Sequence, residues 1–180
     1  MIKKMIYILA IAALTLCGCK TDGAEINPSA DSGALCEVYF VDNAGQTIKS
    51  EIVGLEADTQ EQQVYEAFIK MKDTVKNEER RPAVPENVDI NTLSIDSGVL
   101  EVDFSGEYND MSPGDKLIFR TAVVYTFTSL DFVDYVKMTV DGNSLKMTNG
   151  QALGKIGRDD VVLDGNISPT LWEFSPHTLG

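Results

Sequence analysis

Histidine is nearly absent from this 180-residue chain, whose one example, His177, stands close to the end. Triad hydrolysis needs a base of suitable pKa beside its nucleophile, and a lone histidine at a position prone to fraying is a poor source of one. Cysteine is scarce too, with three residues at Cys17, Cys19 and Cys36. No HExxH motif, CxxC pair or Cys/His cluster occurs, which argues against a zinc centre. Gly154-Lys155 is followed by Ile156 where a phosphate-binding loop needs Ser or Thr. Basic residues are outnumbered, 15 Lys and Arg against 28 Asp and Glu, for a net charge of −13. A surface of that sign repels phosphate backbones, so no nucleic-acid partner is expected. Long apolar runs are missing as well. The apolar run over residues 5–16, which carries no charge, falls short of the ~20 residues a helix needs to cross a bilayer.

What that stretch does suit is a signal-peptide core of roughly 7–15 residues. Lys3 and Lys4 precede it, and Leu16-Cys17-Gly18-Cys19 follows it, resembling the bacterial lipobox. The resemblance implies removal of residues 1–18 and a diacylglyceryl group on Cys19. The expected location is therefore extracytoplasmic, with the protein held to the bacterial cell membrane through its lipid. Two acyl chains hold a protein stably where one holds it marginally. Processing would remove Lys3 and Lys4, taking the formal charge from −13 to −15. It would leave Cys36 as the one free thiol, so stability must come from a core rather than a disulfide. Residues 20–33 are polar, small and broken by Gly and Pro, which predicts a flexible tether over 19–34 ahead of one domain over 35–180.

The domain reads as strands alternating with helices. Residues 36–41 predict a strand, a turn follows at 43–45, and 46–53 predict a second strand. Asp58-Thr59 opens a helix, with Thr59 and Gln62 spaced as a capping box. Val64, Ala67, Phe68, Met71 and Val75 give it one apolar face. Residues 78–85 read as a charged, proline-broken connection. Strands are expected at 92–96 and 99–104, hinged at Ser97-Gly98. Leu100, Val102 and Phe104 point one way, Glu101 and Asp103 the other. Val136, Met138 and Val140 alternate likewise with Lys137, Thr139 and Asp141, and Cys36, Val38 and Phe40 complete the apolar face. Between these strands, 112–130 carries conflicting signals. Its Val, Tyr, Thr and Phe residues favour a strand. Ser112-Pro113 and Asp115 form a strong helix start, and Leu117, Phe119, Val123, Phe127 and Leu130 make a broad stripe. The reading is a helix, and a buried one. The fold class predicted is α/β (α+β): a two-layer sandwich, a small mixed sheet with two main helices on one face and water or a partner on the other.

Three segments carry a further resemblance. They are Val102-Asp103-Phe104-Ser105-Gly106-Glu107-Tyr108, Val124-Tyr125-Thr126-Phe127-Thr128-Ser129-Leu130 and Val136-Lys137-Met138-Thr139-Val140-Asp141-Gly142. In order and at this separation they resemble the signatures of the GerMN domain, the sporulation and spore-germination module often found in lipoproteins. The match covers about residues 35–142, with a tail through Gly165-Asn166-Ile167-Ser168-Pro169. Phe127 stands where that family usually has Leu, and residues 151–164 make a longer stretch than is typical. The resemblance implies a small non-catalytic domain without cofactors, similar in fold to ring-building modules, whose relatives help protein complexes assemble outside the cytoplasmic membrane. It also implies that Asp103 and Ser105 form a turn at a strand end.

Other constellations invite chemistry. Glu101 and Asp103 share a strand face, as a glycosidase pair would, and Asp159-Asp160 with Asp164 could offer calcium ligands. Against each stands a plainer reading, a solvated strand face and a solvated loop. Trp172, with Leu171 and Phe174, is either an exposed contact or a staple of the C-terminus onto the core. Two functions from different classes follow. One is an envelope interaction or assembly module; the other is a binder of peptidoglycan or a small molecule. A deep apolar pocket would mark the binder, an unpaired strand edge the module.

Overall fold

The structure is a computed structural model that describes residues 33–42, 47–72, 80–147 and 150–161. The expectations for Cys19, the tether up to residue 32, the 43–45 turn, Val75, Asp164, the 165–169 tail and the Trp172 cluster lie outside these residues, while Ala34, expected to end the tether, already begins the first strand.

The first strand, β1 (Ala34–Asp42), pairs antiparallel from Ala34 to Val41 with the whole of β2 (Ile48–Leu55). Helix α1 (Gln60–Lys72) follows and buries Val64, Ala67, Phe68 and Met71, as its spacing predicts. The Thr59 hydroxyl accepts from the Gln62 N–H at 3.3 Å. The rest of the expected capping box is replaced: Glu66, in the second turn of the helix, accepts from the N–H groups of Glu56 and Ala57 at 2.8 and 3.0 Å. Burial opposes ionisation of Glu66, but those two amides and Lys70 outweigh it and hold the carboxyl below its usual range.

Within the stretch read as a connection, Arg80–Arg81 form a short strand, β3, on the end of β1. Strands β4 (Ile90–Asp96) and β5 (Val99–Phe104) make a hairpin whose two-residue turn, Ser97-Gly98, has positive φ at both positions. Helix α2 (Pro113–Phe127) starts where its signals place it, with the Ser112 hydroxyl accepting from the Asp115 N–H at 3.1 Å. It ends three residues earlier than the sequence suggests. Strand β6 (Tyr135–Val140) then lies parallel to β5. Two short strands, β7 (Asn143–Ser144) and β8 (Ile156–Gly157), close the far edge of β6, one at each end.

Pairing yields two sheets, ordered β2-β1-β3 and β4-β5-β6-β7, rather than the one small mixed sheet expected. The second is mixed and carries the predicted alternation: Leu100, Val102, Phe104, Val136, Met138 and Val140 are all buried. Phe104 meets Phe68 of α1 at 5.7 Å and Phe119 of α2 edge-on at 4.9 Å, so both helices cover one face of this sheet. Tyr108 extends the aromatic chain, 5.3 Å from Phe119. Such pairs add about 0.5–1.5 kcal/mol beyond the area they bury. Strand β1 departs from expectation. Cys36, Val38 and Phe40 are buried as predicted, but Tyr39 and Val41 on the opposite face are buried too. No open polar face runs along the middle of this strand.

Candidate functional site: a signature junction and an open edge

The first and third signature segments meet. In the β5–β6 pair Asp103 stands beside Thr139 and Glu101 beside Lys137. Asp103 accepts from the Thr139 hydroxyl, from the Gly142 N–H at 2.8 Å and from the Asn91 amide at 3.0 Å. Partial burial works against its ionisation, yet these three donors prevail and hold the carboxyl below its usual range. Asp141-Gly142 forms the two-residue turn from β6 to β7, with φ of 47° and 73°. A type I′ hairpin needs positive φ at both positions, which is why Asp-Gly stands there. The Asp141 N–H donates to the Phe104 carbonyl at 3.0 Å. A Cβ on Gly106 would lie 2.4 Å from Asp141 Oδ2, so any side chain there would push the Asp141 carboxylate out of its place. Ser105 links to Asp89 twice, its hydroxyl accepting at 3.0 Å and its N–H donating at 2.9 Å.

This junction is a lock. Glu101 and Asp103 share a face but are engaged separately, Glu101 by Lys137 at 2.8 Å. Both carboxylate oxygens of Asp103 accept hydrogen bonds from its own fold. Asp159 and Asp160 fall in a short 3₁₀ turn, where Asp160 accepts from the Gly157 N–H at 2.8 Å. Among the described residues no group of three or more His, Cys, Asp or Glu side chains is placed to hold a metal.

The middle segment does something its spacing does not reveal. Thr126, on the last turn of α2, is fully buried, and its hydroxyl accepts from the Tyr39 N–H at 3.1 Å. Ser129 accepts from the Glu37 N–H at 2.9 Å. Two hydroxyls thus satisfy amides on the edge of β1 that faces away from β2. A polar residue at a wholly apolar helical position was the available signal for Thr126. Over the outer face of β1 lies Arg158, bonded to Glu37 at 3.0 Å and to the Tyr39 hydroxyl, its guanidinium 4.8 Å from the Tyr125 ring centre. Burial raises the Tyr39 pKa to about 12, with its bond to Glu37 acting in the same direction.

Two further surfaces bear on a binding role. A cleft of about 520 Å³ opens between residues 81–87 and the start of α2. Its cations are engaged: Arg81 by Asp115 at 3.3 Å and Lys72 by Asp89. The other surface is the outer edge of β2, which ends its sheet among the described residues. Ile52 is 71% exposed there, and Leu35 beside it on β1 is 68% exposed.

The fold defines a class: a two-helix α+β domain with a structural junction built from its own signature residues. The family model described as sporulation and spore germination (Germane) matches residues 37–146, more than half of the chain, and the chain belongs to that family. It is a GerMN-type domain. It is similar to the first GerMN domain of the sporulation protein GerM from Bacillus subtilis, with 20% identity and a TM-score of 0.59 over 71% of this chain and 99% of that one. The tandem GerMN domains of the same protein match with equal identity and score over 71% of this chain, which spans 47% of the tandem pair. No curated protein matches the chain. Residues 150–161 lie beyond the family match, yet Leu153, Ile156 and Val161 are buried against the domain.

Proposed function

We propose that this chain is a lipid-anchored, extracytoplasmic, non-catalytic domain that acts by protein–protein contact at the bacterial cell envelope. The process it serves is of the sporulation and germination kind from which its family takes its name. The observation that carries the interaction reading is the edge of β2, unpaired among the described residues and flanked by exposed apolar residues at Leu35 and Ile52. Monomeric proteins usually blunt such edges, and an edge left open beside apolar side chains is a template for a partner strand. The ligand-binding alternative draws less support, because the 520 Å³ cleft presents cations that carboxylates already engage.

The anchor is inferred from the sequence around Cys19, and among the described residues no helix is long and apolar enough to cross a membrane. Cys19→Ser should move the protein from the membrane pellet to the soluble fraction. Retention of the mutant after a high-salt wash would overturn the anchor. The contact edge is tested separately, by a photo-crosslinking residue at Ile52 in intact cells against one at the exposed Glu61 of α1. Adducts at position 52 and none at 61 are the expected result. Equal yields, or none, would remove β2 as a contact surface.

A further inference from the structure

The hydrogen bonds of β1 fix which groups β2 turns outward. The N–H groups of Glu37 and Tyr39 point away from β2, because they donate to Ser129 and Thr126 on the far side. Residues directly opposite in an antiparallel pair share this orientation. Glu37 stands opposite Ile52 and Tyr39 opposite Ser50. Ile48, Ser50, Ile52 and Gly54 therefore aim their backbone N–H and C=O groups at solvent.

A strand added to that edge must place its own outward groups against these. For a second β2 running antiparallel, a register with Ser50 opposite Ser50 satisfies this rule. It puts Ile48 opposite Ile52 and Lys49 opposite Glu51, each twice. Sliding the pair by one step either way sets Lys49 against Lys49 or Glu51 against Glu51. Cross-strand pairs of opposite charge stabilise a sheet and like charges destabilise it. Lys49 is exposed and has no ionic partner among the described residues. Glu51, bound on one oxygen by Arg80, is about half exposed. Ile52 would gain Ile48 of the second copy as its neighbour, on the face that also carries Leu35. The outer edge of β4 offers no such match: its strand holds one charged residue, Asp96, and an irregularity between Ile90 and Thr92.

We propose that two copies of this chain join edge to edge through β2, antiparallel about a twofold axis at Ser50, to make one continuous sheet ordered β3-β1-β2-β2-β1-β3. The proposal rests on the reading of β2 as the contact edge and names the second copy as its occupant.

The full chain in native membranes carries the test. Paired backbones at such an axis stand about 5.5 Å apart between Cα atoms, within disulfide reach. Ser50→Cys should therefore give a covalent dimer on mild oxidation. Adding Lys49→Glu, which sets Glu against Glu51 twice, should cut the yield about tenfold. Mixing that chain with one carrying Ser50→Cys and Glu51→Lys should restore it, because every cross-strand pair is again of opposite charge. Should Glu51→Lys fail to fold for want of its Arg80 contact, Ser50→Pro replaces it. Its missing N–H points away from β1, so the domain is kept while self-adducts of a crosslinker at Ile52 are lost. Absence of the Ser50→Cys dimer, or a yield indifferent to charge, overturns the proposal. Adducts at Ile52 with other proteins but none with a second copy overturn it while leaving β2 as a contact edge. No adduct at all removes both.

Discussion

The Asp103 carboxylate accepts from the backbone N–H of Gly142 at 2.8 Å, joining the end of β5 to the turn after β6 across 39 residues of sequence. Two signature segments that look like separate strand ends are halves of one junction. Its chemistry is that of a buttress, since each acceptor faces a donor the fold itself supplies.

Asp103→Ala should destabilise the domain by about 1–2 kcal/mol, because three donors lose a charged acceptor in a partly exposed place. Urea denaturation measures it. The pH dependence has a definite sign. A carboxyl held below its unfolded pKa of 3.8 lends stability that is present above that value and lost as pH falls through its folded value. Asp103→Asn should therefore flatten the acid limb of stability below about pH 4. An unchanged slope would mean the three bonds do not favour the charged form.

Thr126→Val keeps the shape of the side chain and deletes its hydroxyl. The buried Tyr39 N–H would lose its acceptor, at a cost of about 1–3 kcal/mol. Amide exchange at Tyr39 should accelerate along with it. Thr128→Ala makes the contrast: its hydroxyl only bonds back to the Val124 carbonyl within the helix, and the change should cost under about 0.5 kcal/mol.

Cys36 lies 1% exposed between β1 and α2, its sulfur 3.4 Å from the Ser129 hydroxyl. Burial pushes the thiol pKa up, with Ser129 pulling more weakly the other way. Both burial and a raised pKa suppress the reactive thiolate. Peptide mapping after brief treatment with a thiol reagent should find Cys36 unmodified in the folded protein and modified in urea. Rapid native labelling would shift β1 by one residue and invert its faces.

Arg158→Ala removes a guanidinium that touches Glu37, Tyr39 and Tyr125 at once. The site is partly exposed, and the expected loss is about 0.5–1.5 kcal/mol. A second readout separates this role from simple packing. The Arg158 charge lowers the Tyr39 pKa, against the burial that raises it to about 12. The difference in alkaline titration between the protein and its Tyr39→Phe form should therefore move to still higher pH in the Arg158→Ala background.

Local pattern made much of this fold legible. Strand β5 has the predicted bounds, and α2 begins at Ser112 because N-capping and a first-position Pro outweigh β-branched propensity. What stayed hidden depends on pairings distant in sequence. Arg80–Arg81 become a strand only because Val41 and Asp42 are there to receive them. Tyr39 and Val41 stand on the face of β1 opposite Cys36, Val38 and Phe40, and Arg158, more than a hundred residues away, helps make that face part of the interior. The alternation of Glu101 and Asp103 was readable, but their separate partners were not. The β2 edge was legible as a strand and illegible as an open one, since what leaves an edge free is the absence of a neighbour. The lipidation reading of Cys19 stands on sequence alone.

The hydroxyls that finish β1 lie 87 and 92 residues further along the chain. When the β1–β2 hairpin forms first, it waits with one edge unsatisfied until α2 is in place. Loop closure over that span is slow beside the assembly of β4, β5, α2 and β6, which are contiguous in sequence. The order of events that follows is a late docking of the N-terminal hairpin onto an earlier β4-to-β6 nucleus. Substitutions at Thr126 or Ser129 should accordingly speed unfolding while leaving the folding rate nearly untouched.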